Sequence, residues 1–147
     1  MRYRYHFWTA TRATSKSFTA YLSAVVRAVL LPNSTIMIAS DVKGTVIKIA
    51  EAKFEEIFRH WPLLRKEVKT RIDDGKTGIK SSSNYYELYF KNGSMISVVS
   101  KDTSRGLRAT AAILEEAATI PEDAYNEVLL PQMNVKRREV DGTINLD

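Results

Sequence analysis

The chain has 147 residues, enough for one compact domain with a hydrophobic core and too few to fill two comfortably. Its 44% apolar and 27% charged content is that of an ordinary globular protein, and the absence of cysteine excludes both a disulfide framework and a thiolate metal site. With only His6 and His60, a histidine-rich metal site is excluded too, while the net charge of +5 tilts the chain towards a polyanionic partner.

The start offers no secretory leader, since Met1 is followed by arginine and tyrosine rather than by a long apolar core. Tyr3, Tyr5 and Phe7 alternate with Arg2, Arg4, His6 and Trp8, and this period of two predicts a strand. A turn follows in "TATRATSKS". Phe18, Tyr21, Leu22, Val25, Val26, Val29 and Leu30 then recur at helical spacing, and Pro32-Asn33 closes that helix. The apolar run from Ala24 to Leu31 is broken by Arg27 and is too short to span a membrane.

Thr35 to Ala39 reads as a second strand, ending in Ser40-Asp41. Val46, Ile47, Ala50, Phe54, Ile57 and Phe58 form a second amphipathic helix. Asp73 to Asn84 is polar, with Gly75, Gly78 and three serines, and is expected to be an exposed loop. "YYELYF" and "MISVVS" flank Lys91-Asn92-Gly93-Ser94, a strong hairpin signal because Asn and Gly both tolerate positive φ. "ATAAIL" predicts a strand that stops at Glu115-Glu116, and a helix is expected from about Glu122 to Met133. The tail is basic at Lys136-Arg137-Arg138 and then strand-like around an Asp-Gly turn.

Alternating strands and helices with a hairpin inserted predict a three-layer α/β domain with a largely parallel central sheet. In such folds ligands bind at the carboxyl ends of the strands. Two motifs fall there. Ala10, Thr11, Arg12, Ala13, Thr14, Ser15, Lys16 and Ser17 align with the phosphate-binding pattern G-x-x-x-x-G-K-[ST]. In that pattern backbone amides cradle phosphate, the lysine reaches the β/γ-phosphates and the hydroxyl ligates magnesium. Ala10 and Ser15 stand in the glycine positions, and a non-glycine residue at positive φ costs roughly 1–2 kcal/mol. The plainer alternative is a helix N-terminus with serine caps and a solvated lysine.

The second motif is Glu115-Glu116, two acids ending an apolar strand about 100 residues later. A magnesium–nucleotide site uses one carboxylate for the metal's water shell and another to polarise the attacking water. The alternative is that the pair begins a solvated helix.

Taken in order, these segments resemble a family: the ATPase domain of the large terminase subunit of tailed bacteriophages. "ATRATSKSF" is similar to its deviant phosphate loop, which has an arginine four residues before the lysine, as Arg12 is here. "PNSTIMIASDVKGTVIKIAEAKFEEIF" looks like its second strand and helix, and "YFKNGSMISVVS" like its hairpin. "SRGLRATAAILEEAATIPEDAYNEVLLPQM" resembles its Arg-Gly segment, acidic strand end and following helix. The resemblance covers nearly the whole chain.

It implies a phosphate-loop NTPase fold of the RecA/ASCE kind over residues 1–147, a core fragment with no nuclease domain. It implies ATP and Mg2+, with Lys16 on the β/γ-phosphates, Ser17 and Glu115 for magnesium, Arg12 near the γ-phosphate and Glu116 as catalytic base. Arg105, with Arg108 as second candidate, would be the arginine supplied to a neighbouring subunit. Glu115 departs from the family's usual Asp by one methylene. The implied activity is ATP hydrolysis that drives double-stranded DNA into a procapsid. The implied partners are the portal protein, the small terminase subunit and further copies in a homo-oligomeric ring, a pentamer in the assembled motor. The resemblance also implies no membrane partner and a place in the host cytoplasm, with transient docking at the portal vertex and absence from the mature virion. The alternatives are another DNA-directed phosphate-loop ATPase, helicase-like, or a degenerate nucleotide- or DNA-binding module without turnover.

Overall fold

The structure, a computed structural model, describes residues 9, 15–40, 45–69, 78–100, 107–123, 125–126 and 130–132. The first predicted strand, Arg2 to Trp8, and the basic tail lie outside these residues. In chain order the elements are α1 (Lys16–Leu30), β1 (Thr35–Ser40), α2 (Thr45–His60), α3 (Pro62–Glu67) and β2 (Ile79–Ser81). They continue with β3 (Tyr85–Tyr89), β4 (Met95–Ser100), β5 (Ala111–Leu114), a 3-10 turn (Ala117–Thr119) and α4 (Leu130–Gln132).

The strands form one five-stranded sheet in the order β2-β3-β4-β1-β5. β1 pairs in parallel with both β4 and β5, whereas β3 is antiparallel to β4 and to β2. Four of the five strands therefore point the same way, with β3 reversed by the hairpin. The protein is a mixed α/β domain with a mostly parallel sheet.

β1 lies between two partners and is buried on both faces. Ile36 and Ile38 join Tyr21, Ala24, Val25 and Ala28 of α1, Phe54 and Ile57 of α2, and Leu88, Ile96 and Val98 of the sheet. The alternate residues Met37 and Ala39 turn to the other face, against Val99 and Ala109, with Leu107, Ile120 and Tyr125 packed around them. Period-two alternation thus sends one strand into two cores. The main one is covered by helices; the smaller one is covered, among the described residues, by the segment around β5.

Phe54 anchors the main core. It is fully buried, stacks on Tyr86 at 5.6 Å between ring centroids and meets the edge of Tyr21 at 5.2 Å. One side chain of α2 thereby ties α1 to β3.

Two features differ from the expectation. The stretch from Asp73 to Asn84 is not wholly a loop, because its residues 79–81 form β2 against β3. An edge strand of three residues with Lys80 half-buried and Ser81 exposed has the composition of a loop, and short polar edges are how sheets avoid further pairing. Gly78 admits the chain there: its amide bonds the Lys69 carbonyl at 2.9 Å, and a Cβ would collide with that carbonyl. The other addition is α3, a short helix with Pro62 in its first turn and no buried residue. Of the helix expected over 122–133, the described parts are helical at 122–123, at 125–126 with the wider π turn, and at Leu130–Gln132.

The hairpin turn does more than reverse the chain. The Asn92 side-chain amide donates to the carbonyls of Ala28 and Val29, at 2.8 and 3.0 Å, and the Ser94 hydroxyl donates to that of Leu31 at 3.0 Å. These carbonyls end α1 and have no partner within the helix. Gly93 takes φ +84, and a Cβ on it would strike the Asn33 side-chain oxygen. Gly93→Ala should therefore cost about 1–2 kcal/mol for the dihedral alone, before any clash. Urea denaturation would check this; a loss below about 0.5 kcal/mol, the range of an unremarkable surface change, would contradict it.

Candidate functional site

The parallel pairing of β1, β4 and β5 places Ser40, Ser100 and Leu114, their last residues, along one edge of the sheet. α1 runs against this direction. Its C-terminal carbonyls are held by Asn92 and Ser94, which precede β4 and so lie at the amino edge. Its first turn therefore faces the carboxyl edge. The contact between Tyr21 and Glu115 fixes the same placement independently: the tyrosine hydroxyl donates to the Glu115 carboxylate at 3.2 Å, across 94 residues of sequence.

Ser15 precedes α1 with φ 57 and ψ 23, in the left-handed region, and makes no side-chain capping bond. A serine that caps a helix is normally extended and bonds an amide of the first turn. The serine-cap alternative is thus not what this residue does. Ser15 adopts a glycine-like conformation at the position where the phosphate-binding pattern has glycine, and such strain persists only where the surroundings impose it. Lys16 is exposed and Ser17 half-buried. The Thr19 amide bonds the Ser15 carbonyl at 2.9 Å, so the amides of the residues just before it have no intrahelical acceptor. They and the helix dipole make this end of α1 favourable for an anion.

Glu115 continues the strand by one bond, its amide donating to the Ala39 carbonyl at 2.9 Å. Glu116 then turns with φ 50 and ψ 44, again left-handed, and is exposed. The amide and hydroxyl of Thr119 both donate to the Glu116 carbonyl at 2.8 Å, closing a 3-10 turn. The acidic pair therefore forms a tight corner at the sheet edge, not the first turn of an α-helix. Of the three non-glycine residues with positive φ among those described, Ser15 and Glu116 flank this edge; the third is Asn33.

Tyr21 was legible in the sequence only as a core position of α1. It is fully buried, and burial together with the negative charge of Glu115 holds its hydroxyl protonated well above the ordinary tyrosine range. It thus remains a donor. The available signal was spacing: Ser17 and Tyr21 are four apart and share one face of α1. The face that meets Glu115 is consequently the face that carries the Ser17 hydroxyl.

Ala10, Thr11, Arg12, Ala13, Thr14 and Arg105 lie outside the described residues. Arg108 is exposed and precedes β5, at the opposite edge of the sheet from Glu115, so it is displaced from the chain's own candidate site. Among the described residues no group of three or more His, Asp or Glu gathers as a metal site. What the edge offers includes the Glu115 carboxylate and the Ser17 hydroxyl, both hard oxygen donors on the side that Tyr21 joins. Magnesium bound through one or two protein oxygens, with water and phosphate completing its shell, fits such a set. Among the described residues no helix is long and apolar enough to cross a membrane.

No protein-family model matches the chain, and no curated protein matches it. Among solved structures it is similar to the large terminase ATPase domain of Thermus phage P74-26, in a mutant form, with a TM-score of 0.55 and 17% sequence identity. The likeness covers 83% of this chain and 52% of the other, so the chain spans about half the length of that domain. At this identity the likeness is one of fold.

Proposed function

We propose that this chain is the nucleotide-hydrolysing core of a phosphate-loop ATPase of the large-terminase kind. The observation that carries the reading is the meeting of two motifs at the carboxyl edge of one sheet: the start of α1, with Ser15 left-handed before Lys16-Ser17, and Glu115-Glu116, joined to α1 through Tyr21. The fold shared with a large terminase ATPase domain supports it.

In this reading the first amides of α1 and the Lys16 ammonium hold the phosphates of ATP. Ser17 and Glu115 would hold Mg2+, which when bound would neutralise charge on the phosphate oxygens. Glu116, exposed on its corner, orients water and takes its proton. Arg12 would sit within the loop, and Arg105 would serve a neighbouring copy. Movement of double-stranded DNA into a procapsid, on a portal protein and with a small terminase subunit, is the process such a core would drive.

Glu116→Gln tests the reading. The amide keeps the shape but accepts no proton, so phosphate release should fall on the order of 10²–10⁴-fold. Binding of a fluorescent ATP analogue with magnesium should stay within about twofold of the parent, since the Glu116 side chain is exposed. Parental phosphate release by the variant would refute the assignment. Binding without release by the parent itself would leave the non-hydrolysing module as the better reading.

A further inference from the structure

We infer that Tyr21 is a positioning residue for the carboxylate of Glu115, holding one of its oxygens so that the other is left to a divalent cation or its water shell. This rests on the nucleotide reading of the site and adds a residue to it.

The geometry supports a dedicated tether. Tyr21 projects from the second turn of α1, is fully buried and is braced edge-on by Phe54 at 5.2 Å. Its neighbours on the C-terminal side of that helix face are Ala24, Val25 and Ala28, all apolar. A phenylalanine would fill the same space, and the hydroxyl donates to Glu115 Oε2 at 3.2 Å. The backbone of Glu115 is pinned separately by the Ala39 carbonyl. A glutamate so anchored still has three side-chain torsions, one more than aspartate. The tyrosine bond restricts them before any cation arrives. Outer groups that orient an oxygen ligand raise metal affinity in this way without touching the metal. Ser17, one helical turn earlier, carries a second oxygen donor on the same face of α1.

Tyr21→Phe in the full chain separates this role from simple packing. Binding of Mn2+ in the presence of ADP, followed by electron paramagnetic resonance, should weaken about tenfold, the usual effect of losing an orienting partner. The magnesium concentration giving half-maximal phosphate release should rise by a similar factor, while release at saturating magnesium stays within about twofold. Melting temperature and near-ultraviolet circular dichroism report the packing. A variant with altered melting but parental Mn2+ affinity overturns the inference, because the bond would then serve the fold alone. If Tyr21→Phe does not fold, Glu115→Asp reads the same tether: its shorter acid falls away from Tyr21, so its Mn2+ affinity should also drop, and an unchanged affinity overturns the inference. Absence of saturable Mn2+–ADP binding by the parent chain overturns the nucleotide reading, and this inference with it. Parental binding left unchanged by Tyr21→Phe overturns the inference alone.

Discussion

Lys16→Ala is expected to lower phosphate release on the order of 10²–10³-fold and to leave the fold intact. Lys16 is the first residue of α1 and is exposed, so its side chain supports no core. Alanine is the better helix former, and the Ser15 carbonyl keeps its bond from Thr19. What disappears is an exposed cation beside amides that already favour an anion. Its attraction for phosphate grows as charge shifts between the β- and γ-phosphates, so the loss falls on turnover more than on binding. Phosphate release and thermal unfolding measured on one preparation check both halves. Parental turnover by a folded variant would remove the start of α1 from the catalytic apparatus. Unfolding by the variant would show that the lysine serves the structure.

The largest expected effect on stability is that of Phe54→Ala. The side chain is fully buried and touches the rings of Tyr21 and Tyr86 on two different elements, with Phe58 stacked at 6.4 Å. Truncation removes the transfer free energy of the ring and leaves a cavity between α1, α2 and β3. Such changes cost about 3–5 kcal/mol, against a total stability of roughly 5–15 kcal/mol for a domain. The melting temperature should fall on the order of 10 °C. Phe54→Leu, which refills part of the space, should recover more than half of the loss. A fall of only one or two degrees for Phe54→Ala would mean that the aromatic group does not join the three elements.

Much of this fold was legible in the sequence because its signals are local. α1 and α2 follow from apolar residues at helical spacing, β1 and β5 from short apolar runs, and the hairpin from Asn92-Gly93. What escaped depends on partners distant in the chain. β2 is polar because it is an edge strand, and only its pairing with β3 distinguishes it from a loop. The hairpin signal fixed where the chain turns, yet only Gly93 of the pair has positive φ, while the Asn92 side chain is committed to α1. The candidate site divides in the same way. Lys16, Ser17, Glu115 and Glu116 stood out by type and order. Tyr21 did not, because an aromatic residue on an apolar stripe looks like core until Glu115 is found beside it. The left-handed corner at Glu116 was equally hidden, since nothing in a Glu-Glu pair marks it as a turn.

The clasp of Asn92 and Ser94 on the end of α1 has a consequence for biosynthesis. The groups that complete this helix lie some 63 residues further along the chain. The interior strand β1 likewise gains its first partner only with β4 and its second only with β5. A nascent chain that has emerged only as far as α2 therefore holds a helix with open carbonyls and an apolar strand with two bare edges. Such intermediates are slow to resolve and prone to associate. Chains released before the hairpin has emerged should be captured by chaperones or proteases, and those released just after it should begin to resist digestion. The hairpin completed by β4 thus sets the length at which translation first closes the end of α1 and covers one edge of β1.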